Sequence, residues 1–219
     1  MAYTKESIIE TLEKCDAKQI YSSKIVNYTG KTSEPENCCD YYTEVIAEYL
    51  LKNDLLKSIP MITRITSYKT VSHDKDMNVP TSNRTEEILA IQLYKNCSEV
   101  IDYQVPLKNK RDDKAGKIDL LLFADDSLIF GELKIKGSQE TLLRAVLEVE
   151  SYYLTADKAK IIIDYGKTGC SIQKAIIIFK ESRQYDDFKN VNMPFIKKLL
   201  EKLGIKVYIV EGLTMRRLN

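Results

Sequence analysis

Histidine is almost absent from this 219-residue sequence, which contains only His73. Hydrolases that use paired histidines, or a Ser-His-Asp triad, need an imidazole base within reach of the reacting group. His73 lies in the polar stretch SHDKDMN, so we expect it at the protein surface. The sequence therefore argues against both of these enzyme classes.

Cysteine is also scarce, and its spacing is irregular. The five residues are odd in number and form no Cys-x-x-Cys motif: Cys15, Cys38, Cys39, Cys97 and Cys170. Such spacing argues against a zinc site, a clustered iron–sulfur site and a disulfide framework. Reduced thiols, as in cytosolic proteins, are the simplest interpretation.

Long apolar runs and a strong overall charge are both missing. No stretch approaches the about 20 apolar residues of a membrane-spanning helix, and the start, MAYTKESIIE, has no signal-peptide core. These absences predict a cytoplasmic protein with no membrane partner. The net charge is only +1, so whole-chain charge predicts no attraction to a polyanion.

Charged residues interrupt the apolar stretch KIDLLLFADDSLIFGELKIKG, residues 117–137, which predicts two buried strands joined by a turn. We expect a symmetric turn at Asp125 and Asp126. Because side chains alternate between the faces of a strand, that register places Asp119 directly opposite Glu132. Two carboxylates would then lie about 5 Å apart at Cβ and repel one another. A divalent cation would offset this cost.

Lys134 follows Glu132 on the same strand face, where its ammonium could hold an attacking water or a developing negative charge. The Lys-Ile-Asp triplet that ends at Asp119, together with the Glu-Leu-Lys triplet of residues 132–134, resembles the motif of the PD-(D/E)xK nuclease superfamily. Ile118 stands where that motif has proline. The structural alternative is an exposed ion pair between Asp119 and Lys134 with no function.

The resemblance implies a metal-dependent nuclease that hydrolyses phosphodiester bonds in DNA. Asp119 and Glu132 would bind Mg²⁺, or Mn²⁺ in its place, and Lys134 would orient or activate water. The alternative function is a catalytically inactive protein of the same fold that binds nucleic acid or protein.

Superfamily members also carry an acidic residue on a helix ahead of the first core strand. The stretch TSNRTEEILAIQLYKN predicts such a helix, and Glu87 is our first choice as a further metal ligand and catalytic residue. Glu86 is the alternate, because it lies three residues after Asn83 and could complete a capping box there. Both could instead simply favour the helix dipole.

The stretch after the triplet, GSQETLLRAVLEVESYYLTADK, predicts a long helix that begins at Ser138. Glu148 and Tyr152 share one stripe of this helix, and they resemble a Gln and Tyr pair of exonuclease-like branches of the superfamily. We expect them to support the site. The alternative is an ordinary ion pair between Arg144 and Glu148 beside a half-buried tyrosine.

Basic residues gather immediately before Asp119, and one follows the triplet. A basic rim beside an acidic metal site would attract the nucleic-acid backbone, although a solvated loop explains any single residue equally well. The candidate DNA-binding residues are Lys108, Lys110, Arg111, Lys114, Lys117 and Lys136.

The order of elements predicts an α/β fold. Residues 81–219 predict an acidic helix, three strands, a helix, a strand, a helix and a strand, which is the order that the resemblance implies for a restriction-endonuclease-like core. Its central mixed β-sheet would be flanked by helices. Residues 1–80 predict an N-terminal helical extension that packs on this core or forms a homodimer contact.

Overall fold

A computed structural model describes residues 3–34, 39–76, 78–79, 84–109 and 116–219. Within these ranges the chain forms seven α-helices and six β-strands. The helices are α1 (Lys5–Glu13), α2 (Tyr42–Lys52), α3 (Thr85–Asn96), α4 (Leu142–Thr155), α5 (Lys158–Asp164), α6 (Arg183–Lys189) and α7 (Pro194–Leu203). The strands are β1 (Val100–Pro106), β2 (Lys117–Ala124), β3 (Ser127–Leu133), β4 (Ser171–Ile178), β5 (Ile205–Glu211) and β6 (Thr214–Arg217).

All six strands form one mixed sheet in the order β1-β2-β3-β4-β5-β6. The first three strands are antiparallel, β3, β4 and β5 are parallel, and β6 returns antiparallel to β5. Parallel neighbours need a crossover, which α4 and α5 supply between β3 and β4, and α6 and α7 supply between β4 and β5. The predicted α/β class, with a central mixed sheet flanked by helices, is confirmed.

The turn between β2 and β3 sets the register of the central hairpin. Asp125 and Asp126 have positive φ angles of 49° and 52°, as a two-residue turn between twisted antiparallel strands requires. The pairing runs from Ala124 opposite Ser127 back to Leu120 opposite Gly131. The predicted symmetric turn is therefore confirmed, and Asp119 and Glu132 are the next residues of the two strands beyond the last of these pairs.

Helices cover both faces of this sheet. Leu121 and Phe130 belong to one hydrophobic cluster together with Leu147 of α4. Leu120 belongs to a second cluster, on the opposite face, together with Ile91 of α3. Helices α3 and α4 therefore lie on opposite faces of the sheet. Each can reach, from its own face, the sheet edge where β2 begins and β3 ends.

The N-terminal helices pack within the chain. Ile8 of α1 and Ile46 of α2 are buried in the same hydrophobic cluster as Leu147 and Leu199. The apolar face of α2 is thereby covered by its own chain, and the predicted homodimer contact through this face gains no support. Residues 61–69, between α2 and α3, contain no strand. None of the described helices has the length and apolar character needed to cross a membrane.

The long helix after β3 begins later than the sequence predicts. Thr141, and not Ser138, is the N-cap of α4, and its Oγ1 accepts the Arg144 N–H at 3.2 Å. The Ser138 hydroxyl instead accepts a hydrogen bond from Gln184 of the α6 helix at 3.1 Å. Residues 135–140 consequently form a loop that carries Glu140 toward the end of β3.

A carboxylate from α2 caps the N-terminus of α7. Glu44 is buried, and its two oxygens accept the backbone N–H groups of Phe195 at 2.8 Å and Ile196 at 2.9 Å. The N-cap residue of α7, Met193, offers no side-chain hydrogen bond of its own. Glu44 therefore satisfies helix donors that would otherwise be unpaired, and its charge favours the positive end of the helix dipole.

We expect Glu44→Ala to lower the free energy of unfolding by about 1–3 kcal/mol, because two buried N–H groups lose their acceptor. Glu48→Ala is the matched control on the same helix, since Glu48 is exposed and pairs with Lys52. Its effect should stay within about 0.5 kcal/mol. Urea unfolding followed by circular dichroism measures both values, and equal losses in the two variants would contradict the capping role.

Candidate active site

The structure brings the three motif residues together at one edge of the sheet. Asp119, Glu132 and Lys134 are 7%, 3% and 4% exposed. The Lys134 Nζ lies 2.7 Å from Glu132 Oε1, and Asp119 Oδ2 accepts the Leu133 N–H at 3.0 Å. The exposed Asp119 to Lys134 ion pair, which the sequence left open as the alternative, is therefore wrong.

Gln104 of β1 holds the second oxygen of Asp119. Its Nε2 donates to Asp119 Oδ1 at 2.9 Å, and its φ is +47°, which is unusual for a residue with a side chain. The flanking residues Tyr103 and Val105 belong to hydrophobic clusters on opposite faces, so β1 is irregular at this point. Sequence reasoning missed Gln104, because no motif marks a residue that contacts Asp119 from a separate strand.

Lys134 is the centre of a ring of carboxylates. Its Nζ forms ion pairs with Glu132 at 2.7 Å, Glu140 at 2.7 Å and Glu148 at 2.6 Å. The contact with Glu148 is also a hydrogen bond, and all three carboxylates oppose the charge of the ammonium. Burial alone would lower the pKa of Lys134, but the surrounding carboxylates outweigh burial and raise that pKa above its usual value. Lys134 is thus a permanent cation and cannot serve as a general base.

Helix α4 supplies both predicted supporting residues. Glu148 pairs with Lys134 and also with Arg144, whose Nε lies 3.1 Å from Glu148 Oε1. The ordinary helical ion pair and the site contact therefore both exist. Tyr152 lies against Gly116, where an added Cβ would come within 2.4 Å of the ring. Burial, followed by the charges of the nearby carboxylates, raises the pKa of Tyr152, which keeps its phenol protonated.

The carboxyl groups of this cluster differ in pKa, and hence in how readily each retains a proton. Burial and the charge of Asp119 raise the pKa of Glu132 well above its usual range. Burial would also raise the pKa of Glu148, but the positive charge of Lys134 acts against burial, and the pKa is lowered. Glu132 consequently retains a proton more readily than Glu148. Burial raises the pKa of Asp119 to about 6, although the Leu133 N–H acts against the shift.

Of the two acidic residues on α3, the structure turns the alternate toward the site. Burial, followed by the charge of Asp119, raises the pKa of Glu86 to about 7. Glu87, the first choice from the sequence, instead faces Arg84, with Arg84 Nη1 at 3.4 Å from Glu87 Oε2. Arg84 is the N-cap of α3, whereas the predicted capping box required Asn83, which lies outside the described residues. The capping box, which was the reason to rank Glu86 below Glu87, is therefore not supported.

Negative charge exceeds positive charge in this cluster. Five carboxyl groups face the two cations Lys134 and Arg144, and they belong to Glu86, Asp119, Glu132, Glu140 and Glu148. The Glu132 Oε2 atom is buried and has no hydrogen-bond partner. In the described part of the chain, no three His, Cys, Asp or Glu side chains are grouped as a ready-made metal site. The excess charge must be offset by protons or by a bound cation.

The predicted basic rim is described only in part. Lys110, Arg111 and Lys114 lie outside the described residues. Lys117 is exposed at the start of β2, and the exposed Lys136 pairs with Glu181 at 3.3 Å. Lys108 is half-buried, and its backbone carbonyl accepts a hydrogen bond from Arg64. The described members thus flank the sheet edge, and their role in binding DNA stays a prediction.

His73 is not the surface residue that the sequence suggested. Its Nδ1 lies 2.5 Å from the buried Asp102 carboxylate, and its ring stacks on Tyr103 with a centroid separation of 3.9 Å. The second Asp102 oxygen accepts a hydrogen bond from the Tyr165 hydroxyl. A polar stretch of sequence thus does not exclude burial, because Asp102 supplies the histidine with a partner.

Fold and site together define an α/β protein with a buried carboxylate and lysine cluster at one edge of a mixed sheet. Comparisons with protein-family models, with curated proteins and with solved structures find no match. The resemblance to the PD-(D/E)xK superfamily accordingly stays a prediction.

The pH dependence of stability should distinguish Glu86 from Glu87. A glutamate whose pKa is 4.5 when unfolded and about 7 when folded stabilises the protein at low pH, and this stability is lost as the pH rises through 7. Glu86→Gln should therefore reduce the loss of unfolding free energy between about pH 5 and pH 8 by about 1–2 kcal/mol, allowing for solvent screening.

The matched control is Glu87→Gln, which removes the same charge one residue away, where the side chain faces Arg84 and not the cluster. Denaturant unfolding at both pH values measures the difference. If the two variants flatten the pH profile equally, Glu86 does not face the cluster.

Proposed function

We propose that the protein is a metal-dependent nuclease of the PD-(D/E)xK type that hydrolyses phosphodiester bonds in DNA. The observation that carries this proposal is the burial of Asp119, Glu132 and Lys134 at one sheet edge, with Glu132 Oε2 left unpaired. Buried polar atoms without a partner are uncommon, and a bound ion is one explanation for such an atom. An accidental Glu-x-Lys pattern on a solvated strand would not produce this arrangement.

The fold is compatible with a restriction-endonuclease-like core. An acidic helix precedes three antiparallel strands, and helical crossovers then add parallel strands to the same sheet. Asp119 lies on β2 and Glu132 on β3, and Lys134 directly follows β3, at the edge that α3 and α4 reach from opposite faces. The sequence resemblance implied the same succession, but with a single helix in each crossover and no sixth strand.

The donor set fits a hard divalent cation. Mg²⁺ prefers oxygen ligands and is usually bound through one or two carboxylates, with substrate phosphates and water completing its shell, so a closed protein cage is not required. Asp119 and the unpaired Glu132 Oε2 would hold it, with Glu86 preferred to Glu87 as the further ligand. Mn²⁺ would serve equally through the same oxygens. When bound, such an ion lowers the pKa of a coordinated water and offsets phosphoryl charge.

The remaining side chains of the site position these groups. Gln104 and the Leu133 N–H orient the Asp119 carboxylate through one hydrogen bond to each oxygen. Lys134, as a permanent cation, stabilises negative charge and does not abstract a proton. Tyr152 keeps its phenolic proton and can donate a hydrogen bond to an oxygen of the substrate.

A second candidate function is a catalytically inactive protein of this fold that binds nucleic acid or protein. One observation favours it: carboxylate oxygens of three residues lie within 2.7 Å of the Lys134 Nζ. A lysine surrounded in this way cannot contact water or phosphate unless one of these partners is displaced.

The metal proposal predicts stabilisation by mass action. Mg²⁺ at about 100 times its dissociation constant should raise the free energy of unfolding by about 2.7 kcal/mol, because it binds the folded state alone. Asp119→Asn should abolish this gain. Asp125→Asn removes a carboxylate from the β2–β3 turn, where asparagine accepts a positive φ, and should keep the full gain. Thermal unfolding with Mg²⁺ and with EDTA checks this, and equal gains in all three proteins would exclude Asp119 as a ligand.

The nuclease proposal predicts cleavage of linear, circular or branched DNA in Mg²⁺ and none in EDTA. Asp119→Asn should lower the rate by about 10²-fold or more, because its carboxylate acts on the reacting centre. Asp125→Asn should retain the wild-type rate. Gel assays of the three proteins on these substrates give the comparison. Failure of folded, Mg²⁺-binding wild type to cleave any of them would favour the binding module instead.

A further inference from the structure

Glu140 bridges the two cations of the site from the outside. Its Oε2 lies 2.7 Å from Lys134 Nζ, and its Oε1 lies 2.9 Å from Arg144 Nε. Glu148 bridges the same two cations from the inside, at 2.6 Å and 3.1 Å. Lys134 and Arg144 are therefore held between two carboxylates, each of which uses one oxygen for each cation.

The two bridging carboxylates differ in how firmly they are held. The Glu148 side chain is 6% exposed and projects from the middle of α4. The Glu140 side chain is 33% exposed and belongs to the loop before the helix. Gln184 anchors the loop backbone by donating to the Glu140 carbonyl at 2.6 Å, so the Glu140 side chain can rotate away without moving the loop. A partly exposed ion pair of this kind is also weak in water.

We propose that Lys134 and Arg144 form a subsite for a backbone phosphate of nucleic acid, which Glu140 occupies in the free protein and vacates when the substrate binds. A phosphodiester carries two charged oxygens on one centre, as the Glu140 carboxylate does, and can reach the same two donors. Arginine and lysine are the side chains that bind phosphate, since both remain charged and donate several hydrogen bonds.

Departure of Glu140 has two consequences for the site. One N–H of Lys134 becomes available to the ligand, which removes the obstacle posed by its three carboxylate partners. The local excess of negative charge does not rise, because the single charge of the phosphodiester takes the place of that of Glu140. This inference rests on the proposed nuclease function in one respect: that function identifies the molecule that carries the phosphate as nucleic acid.

Inorganic phosphate in EDTA is the probe, so that neither the metal nor cleavage enters the measurement. Glu140→Gln should bind phosphate at least about fivefold more tightly than wild type, because the competing internal anion has lost its charge. Glu181→Gln is the matched control: it also removes one partly exposed carboxylate, here the partner of Lys136, and should change the affinity less than about twofold. Isothermal titration calorimetry measures all three affinities.

The double variant Glu140→Gln, Arg144→Gln should lose the gain, because one of the two phosphate donors is gone. Similar affinities for wild type and Glu140→Gln, equal gains in Glu140→Gln and Glu181→Gln, or a gain that survives in the double variant would each overturn the subsite. Phosphate bound as expected by a protein that cleaves no DNA would count against the nuclease and leave the subsite standing.

Discussion

The buried ammonium of Lys134 is the interaction on which the rest of the site depends. A lone charge at 4% exposure would be costly, and so would each carboxylate around it. Together they are paired, and the pairing fixes the end of β3 against the middle of α4 through Glu148. Helix α4 is also the main cover of one sheet face. The charge cluster and the hydrophobic core are therefore coupled, because removing the cation would leave buried carboxylates unpaired beneath that helix.

Local chemistry made much of this arrangement predictable from the sequence. The alternation along β2 and β3, with two aspartates between them, specified the hairpin register and hence the meeting of Asp119 and Glu132. Contacts between distant segments were not predictable in the same way. Gln104 and Glu140 enter the site from a separate strand and from a loop, and neither carries a motif. The start of α4 was misplaced because Ser138 and Thr141 are both good caps, and Gln184, distant in sequence, takes the Ser138 hydroxyl.

Two buried acidic groups on nearby strands show how satisfied and unsatisfied carboxylates differ. Asp102 accepts from the Tyr103 N–H and the Tyr165 hydroxyl and contacts His73, so both of its oxygens are used. This carboxylate joins the segment before α3, strand β1 and the region after α5. Glu132, in contrast, keeps one buried oxygen unpaired. The first pattern is typical of a structural anchor, and a bound ion would account for the second.

The cap that Glu44 places on α7 limits how this chain can be divided. Helix α7 lies in the crossover between β4 and β5, and its first N–H groups are bonded to a residue about 150 positions earlier. The hydrophobic cluster beneath it also takes side chains from α1 and α2. A truncation that keeps the sheet but deletes the first 80 residues would expose that cluster and leave α7 uncapped. The N-terminal segment thus shares its hydrophobic cluster with the sheet, and the helices that carry no motif residue help to maintain the scaffold of those that do.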